Sequence, residues 1–319
     1  MVTSQPETKN RMQIITDLQE KNIQNACVAT IGMFDGVHRG HTFLLDLVRQ
    51  TAKRHGLAST VITFDAHPAM VVSHAAPPLL LTLREKLELL EQTAVDRCIV
   101  LPFDAAMASL TAFAFMQQVL RDALGVQVLV MGYNHRFGSE QSSDANYYVK
   151  CGSECGIQVL TAPKFGQVNS SSIRAALAEG NVSLASELLG RPYMLSGVVV
   201  HGCEMGRQLG FPTANLQVSP EKLVPGGGVY AVRVELDGEI FAGMMNIGSC
   251  PTFDMKVIRR PEVHILNFNR DIYGAVLHVS FMQRIRDERR FNSADELILQ
   301  LQRDAREVSD ILNRATIGQ

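Results

Sequence analysis

The strongest constraint on this chain lies early, in the run Gly32-Met33-Phe34-Asp35-Gly36-Val37-His38-Arg39-Gly40-His41. Before it, Cys27-Val28-Ala29-Thr30-Ile31 reads as a short, fully buried strand; after it, Leu44, Leu45, Val48 and Ala52 recur at helical spacing. The run is therefore the strand-to-helix corner of a βαβ unit. At such a corner the first amides of the helix and its positive dipole end face a ligand, and the glycines let a polyphosphate approach the backbone closely. His38 and His41 project from one face of the helix's first turn and can reach the same phosphate together. The same pair could instead cap the helix or pair with a carboxylate, while a metal site lacks further ligands at suitable spacing.

The first half continues this pattern. Strand-like runs at Ser59 to Phe64, Arg97 to Leu101 and Val126 to Val130 alternate with helical ones at Thr82 to Thr93 and Thr111 to Leu124, which predicts a parallel sheet covered by helices. Thr82-Leu83-Arg84-Glu85 is a capping box, with Leu83, Leu87 and Leu90 on the inner face of the helix it opens. In open α/β sheets ligands gather at the carboxyl ends of strands, so three further places matter. His67 follows the second strand in Thr63-Phe64-Asp65-Ala66-His67-Pro68; Asn134 lies in Met131-Gly132-Tyr133-Asn134-His135-Arg136-Phe137-Gly138; and Ser170, Ser171 and Arg174 open a helix, offering hydroxyls and a guanidinium to one anion. Read alone, these are equally a surface turn, a tight Gly-Asn turn and an ordinary helix cap.

Near Gly190 the character changes, and strands dominate: Met194 to His201, Tyr230 to Leu236, Glu239 to Ile247, Val263 to Phe268 and Val276 to Ile285. Asp237-Gly238 is a strong hairpin signal. This predicts a small antiparallel β-barrel followed by a helix from Ser293, with a capping box Ser293-Ala294-Asp295-Glu296 and an inner stripe of Leu297, Leu301, Ala305, Val308 and Leu312. The loop from Gly202 through Gly206, Arg207, Gly210, Phe211 and Pro212 admits close backbone approach, Thr213 offers a hydroxyl to a magnesium ion or phosphate, and Asn215 offers a carbonyl oxygen. It is not a Walker A loop.

A chain of 319 residues suits two domains, here divided as 1–187 and 188–319. With 46% hydrophobic and 19% charged residues, and 30 basic side chains against 32 acidic, nothing points to disorder or to a nucleic-acid footprint. Arg284, Arg286, Arg289 and Arg290, interleaved with Asp287 and Glu288, read as a local salt-bridged segment. Six cysteines without C-x-x-C suit a reducing compartment. No apolar stretch reaches the roughly 18 to 20 residues needed to cross a bilayer, and no secretory leader pattern opens the chain. A cytoplasmic protein off the membrane, monomeric or a weak homo-oligomer, is the expectation.

The opening run resembles the H-x-G-H signature of the nucleotidyltransferase superfamily in its flavin-specific form, G-x-F-D-G-V-H-x-G-H. The other segments of the first half are similar to that family's T-F-x-P-H-P, G-x-[DN]-x-x-F-G and S-S-T-x-I-R. Gly202 to Asn215 resembles the riboflavin kinase signature G-x-x-x-G-R-x-L-G-F-P-T-A-N. Further parts follow in order: Gly228 to Val232, Asn246-Ile247-Gly248 with Pro251-Thr252-Phe253, Glu262-Val263-His264, Asp271 to Gly274, and Phe281 with Arg286. From Cys27 to about Asn313 the chain resembles the bacterial bifunctional riboflavin kinase and FMN adenylyltransferase (FAD synthetase) family.

That resemblance implies α/β plus β architecture, with a Rossmann-like nucleotidyltransferase domain first. It implies phosphorylation of riboflavin by ATP to FMN, then adenylylation of FMN by ATP to FAD with release of pyrophosphate, both with Mg²⁺. His38 and His41 would bind the α-phosphate and Arg174 the leaving phosphates. Gly32, Phe34, Asp35, Gly40, His67, Asn134, Ser170 and Ser171 would line the first site. Gly202, Gly206, Arg207, Gly210, Phe211, Pro212 and Arg286 would line the second. Thr213 and Asn215 would meet the metal, and Glu262 would act as general base on the ribityl hydroxyl. Several positions depart from the pattern: Ala66 for Pro, Asn169 for Ser, Asn267 for Asp, Asp254 for Gly, and Ser139-Glu140-Gln141-Ser142-Ser143 for a basic, glycine-bearing loop. Two rivals stay open: a riboflavin kinase whose first domain has lost adenylyl transfer, and a non-catalytic flavin-binding module.

Overall fold

The computed structural model describes residues 11–17, 23–73, 75–140, 142, 144–202, 206, 209–251 and 257–317. Contacts divide the chain into two compact units, Met1–Val168 and Asn169–Gln319, so the helices over 170–189 group with the second. Arg207, Thr252, Phe253 and Asp254, each singled out in the sequence, lie outside the described residues.

The first unit is a six-stranded sheet whose every neighbouring pair is parallel, ordered β1 (Gln13–Ile15), β4 (Arg97–Leu101), β3 (Ala58–Phe64), β2 (Cys27–Ile31), β5 (Val126–Met131), β6 (Gln158–Thr161). All five residues of β2 and of β4 are buried, as expected of strands covered on both faces. Helices α1 (Arg39–His55), α2 (Pro68–Val72), α3 (Leu83–Glu91), α4 (Ala105–Ser109), α5 (Ala112–Ala114) and α6 (Ala145–Cys155) connect them. The helix expected over Thr111 to Leu124 begins as α5 and then widens into a π-helical stretch, Phe115–Ala123. The capping box at Thr82 and Glu85 is present in both directions. From β2 the chain winds out through β3 and β4, then returns to β5 on the other flank of β2. The order therefore reverses between β2 and β5, the place where a crevice opens at the strands' carboxyl ends.

In the second unit, α7 (Ser170–Ala178) and α8 (Val182–Leu189) precede a closed barrel. Its strands run in the order β10 (Glu239–Pro251), β11 (Val257–Ile265), β8 (Ala214–Val218), β7 (Tyr193–Val200), β12 (Val276–Arg286), β9 (Gly228–Leu236). Asp237 (φ 52°) and Gly238 (φ 81°) are both left-handed, and Leu236 pairs with Glu239, so the hairpin turns as its two-residue signal requires. The strand expected over Val263 to Phe268 begins earlier and ends at Ile265, because Asn267 turns the chain through φ 55°. Helix α9 (Ala294–Ile317) packs Val308 and Leu312 against Val229, Ala231 and Met244 of the barrel wall.

Candidate functional site

At the order reversal of the first unit the loop after β2 is wound left-handed at Phe34 (φ 49°), Gly36 (φ 89°) and Val37 (φ 37°). A β-branched residue in that region is strained by roughly 1–3 kcal/mol, which the packing around it must offset. Phe34 and Val37 are buried, and the Phe34 ring lies against Gly32, where an added Cβ would stand 3.3 Å away. Asp35 is also buried: its carboxylate accepts from the backbone amides of Leu80 at 2.9 Å and Leu81 at 3.1 Å. Lys86, buried on α3, donates to the Met33 carbonyl at 3.3 Å, the Thr63 hydroxyl at 2.9 Å and the Phe64 carbonyl at 3.0 Å. One ammonium thus ties the loop after β2 to the end of β3. Burial lowers its pKa to about 8, against the raising effects of Cys98, Asp35 and Asp65.

His38 is the N-cap of α1, its Nδ1 accepting from the His41 amide at 3.3 Å. The two imidazoles stack with centroids 3.6 Å apart and planes 13° from parallel. Gly40 leaves room for this, since a Cβ there would sit 3.2 Å from the His38 ring. Burial holds the His41 pKa well below the usual histidine value, and the neighbouring His38, His135 and Lys86 lower it further. His41 is therefore neutral at pH 7. Its Nδ1 is buried and makes no hydrogen bond among the described residues. A buried, unpaired ring nitrogen at the start of a 17-residue helix is a group waiting for a polar ligand.

His67 caps α2, its Nδ1 accepting from Ala69 at 3.1 Å. Asn134 is exposed in a turn closed by the His135 amide donating to the Gly132 carbonyl at 3.0 Å. Glu140, the acid in the segment that departs from the family's basic loop, accepts from the Ala112 amide at 2.8 Å and the Tyr147 hydroxyl at 2.5 Å. Its charge is thereby held at the start of α5. In the second unit Asn169 caps α7 by accepting from Ser172 at 2.8 Å, with half-buried Ser170, exposed Ser171 and half-buried Arg174 in the first turns.

In the barrel, Asn215 of β8 and Asn246 of β10 flank Glu262 of β11 as directly paired residues, so all three project from one face. Glu262 is half-buried; burial raises its pKa, Arg260 opposes the rise and Glu288 adds to it. A side chain at Gly202 would overlap the Asn215 amide, and one at Gly206 would overlap the Phe211 carbonyl, so both glycines are required by close packing. Gly206 accepts from the amides of Leu209 at 3.1 Å and Phe211 at 2.8 Å, and Gly210 turns at φ 80°. His264 Nδ1 donates to the Pro212 carbonyl at 2.8 Å, which fixes the start of β8. A cavity of about 380 Å³ opens beside this turn, lined by Pro212, Thr213, Ile265, Asp271 and Tyr273 among others.

Comparison with known proteins gives this geometry its context. The FAD synthetase family matches residues 20–176, and the riboflavin kinase family matches residues 189–312. The bifunctional riboflavin kinase/FMN adenylyltransferase of Escherichia coli is 40% identical over 291 residues, spanning 88% of this chain and 91% of that protein. Its counterpart from Haemophilus influenzae is 37% identical, over 95% of this chain and 100% of that one. The chain belongs to the bifunctional riboflavin kinase/FMN adenylyltransferase family. A crystal structure described as that of a macrolide-efflux protein from Streptococcus pneumoniae has the same architecture, with a TM-score of 0.83 and 31% identity over 93% of this chain and 98% of that chain. Among the described residues here, no helix is long and apolar enough to cross a membrane.

Within the FAD synthetase region, Gly32, Phe34, Gly40, His38 and His41 form one corner. Asp35, expected to line the site, accepts from the backbone amides of residues 80 and 81. Within the riboflavin kinase region, Glu262, Asn215 and Gly202 come together, while Thr213 and Pro212 face the cavity. Arg286, also expected at a ligand, directs its guanidinium to Asp304 of α9 at 2.7 and 2.9 Å and to the Asp287 carbonyl at 3.0 Å. Lys86, His135 and His264 were not singled out as site residues in the sequence. For Lys86 a signal existed: it stands three residues after Leu83 and four before Leu90, a cation on the apolar stripe of α3.

Proposed function

We propose that the barrel unit transfers the γ-phosphoryl group of ATP to riboflavin, giving FMN and ADP, and that the sheet unit transfers the adenylyl group of a second ATP to FMN, giving FAD and pyrophosphate. The observation that carries the second step is the stacking of His38 on a neutral His41, whose Nδ1 is shielded and unpaired among the described residues at the N-terminus of α1. Ring N–H groups and the helix end stabilise negative charge developing on the α-phosphate, and the FMN phosphate, already ionised, attacks in line while pyrophosphate leaves. Ser170, Ser171 and Arg174 offer an anion hydroxyls and a guanidinium at the start of α7. Gly32, Phe34, Gly40, His67 and Asn134 shape the approach to the first corner, and Asp35 and Lys86 hold that shape.

In the barrel, Glu262 takes the proton of the ribityl primary alcohol as it attacks the γ-phosphorus. Burial raises its pKa, which makes the carboxylate a stronger base toward that proton. Thr213 and Asn215 supply hard oxygen donors of the kind Mg²⁺ accepts alongside water and phosphate oxygens, and Gly202 keeps the Asn215 amide unobstructed. Bound there, Mg²⁺ would neutralise charge on the transferred phosphoryl group. Gly206, Gly210, Phe211 and Pro212 belong to the loop that would cover the nucleotide, where Arg207 is also expected to act. The four free, buried thiols at Cys27, Cys98, Cys151 and Cys155 support a reducing, cytoplasmic setting, and we expect a monomer or weak homo-oligomer acting on small molecules alone.

The test uses the full chain with Mg²⁺ and ATP, supplied first with riboflavin and then with FMN. FMN and ADP are expected from the first mixture, FAD and pyrophosphate from the second. FMN formation without FAD or pyrophosphate would make the chain a riboflavin kinase alone.

A further inference from the structure

We propose that His135 is a third imidazole of the adenylyl-transfer corner, donating a hydrogen bond to the anionic phosphate chain of ATP beside His41. This rests on reading the sheet unit as the adenylyltransferase. His135 follows β5, the strand that pairs with β2 across the order reversal, with Val28 opposite Val128 and Ala29 opposite Leu129. The two strands that flank the reversal thus each deliver a histidine to it, His41 after β2 and His135 after β5. Their loops are brought together by packing on α1. A Cβ at Gly132 would lie 3.6 Å from Leu44 and 3.8 Å from the His135 Cβ, and Leu44 follows His41 by one helical turn on the same face.

The decisive observation is a pair of orphaned atoms. His135 Nε2, like His41 Nδ1, is shielded from solvent and has no hydrogen-bond partner among the described residues. Either alone could be an accident of packing. Two at one corner, on rings near enough for His135 to oppose protonation of His41, are explained together by one ligand bearing several acceptor oxygens. Among the described residues no hydrogen bond occupies the ring, which tilts against Phe137 with centroids 5.9 Å apart.

The ionic surroundings fit an incoming anion. His38 stacks on His41, and His135 and Lys86 are close enough to oppose its protonation; Asp35 and Asp65 act on Lys86, and Arg136 follows next in the chain. Burial lowers the His135 pKa to about 4, so the ring is neutral in the free protein. A bound polyphosphate reverses that preference, and ATP binding is then accompanied by proton uptake at this ring.

The experiment compares the full-length wild type with His135→Phe and His135→Gln, following FAD formation from FMN and, in the same preparations, FMN formation from riboflavin. The phenyl ring keeps the packing against Phe137 without a donor; the amide keeps one donor but cannot be protonated near neutrality. We expect kcat/KM for ATP in FAD synthesis to fall about tenfold in H135F and less in H135Q. KM for FMN, riboflavin phosphorylation and the thermal midpoint should stay unchanged. The ratio of wild type to H135Q should grow as pH is lowered from about 8 to about 6. Folded variants with wild-type kcat/KM for ATP and a flat ratio would overturn the inference, as would equal losses for ATP and FMN with a lowered midpoint, which mark a packing role. A wild-type chain that makes no FAD overturns the adenylyltransferase reading and this inference together; unchanged variants of a chain that does make FAD overturn the inference alone.

Discussion

Asp35→Ala should destabilise the sheet unit while leaving the barrel untouched. The carboxylate is 5% exposed and accepts from the amides of Leu80 and Leu81, residues that are themselves 0% and 5% exposed. Truncation leaves two buried N–H groups without acceptors, each worth about 1–3 kcal/mol; with some relief from water entering the space, about 2–4 kcal/mol is expected. Asp35→Asn keeps one acceptor oxygen and should cost about half as much. Leu80 and Leu81 lead directly into the Thr82 cap of α3, which carries Lys86, so the loss should also loosen the corner at His38 and His41. Urea titration followed by residual FAD synthesis and residual FMN synthesis in one sample reads the two units separately, and hydrogen exchange at Leu80 and Leu81 reads the released amides. The reasoning fails if the Ala variant unfolds within about 0.5 kcal/mol of wild type but binds ATP more weakly. Asp35 would then be a ligand group, as the family resemblance first suggested.

Arg286→Met should lower stability by about 3 kcal/mol, because Asp304, 1% exposed, would be left with the Gln300 amide as its one remaining hydrogen-bond partner among the described residues. Adding Asp304→Leu should restore most of the loss in denaturant midpoint. Gly202→Ala should raise KM for ATP and the Mg²⁺ requirement of riboflavin phosphorylation by an order of magnitude or so, by displacing Asn215, with FAD synthesis from FMN unchanged. Lys86 gives a pH signature. Its folded pKa of about 8 lies below its unfolded value, so between pH 8 and the ordinary lysine range the unfolded chain binds more protons and stability of the sheet unit rises with pH. Lys86→Met, compared by urea denaturation across that window, should lose the rise.

Elements that fold by local rules were legible in the chain. The corner at Gly32 to His41 carries its own strand, turn and helix start, the Asp237-Gly238 hairpin needs only two left-handed residues, and Thr82 with Glu85 closes its box within four residues. What could not be read was set by distant partners. Asp35 finds its donors 45 and 46 positions away, and Arg286 finds Asp304 on a helix whose apolar stripe the acid interrupts. Helix α6 escaped notice because its buried face is built of Tyr148, Cys151, Gly152 and Cys155 instead of aliphatic residues. Strand β6 is exposed at both ends and nowhere fully buried, and its four residues carry no long apolar run. His135 reads locally as part of a Gly-Asn turn, and its shielded Nε2 is seen only in the folded chain, where that turn packs near Leu44 of α1.

The account holds that one chain carries two independent phosphate-handling sites, and a crossed inactivation tests this most directly. Full-length His38→Ala/His41→Ala and Glu262→Gln proteins are each given ATP and Mg²⁺ with riboflavin, and separately with FMN. The double histidine variant should make FMN at the wild-type rate and no FAD from either substrate. The Glu262 variant should lose FMN formation by roughly 10²- to 10⁴-fold while converting supplied FMN to FAD normally. Loss of both products in either variant, with the fold intact, would contradict the account.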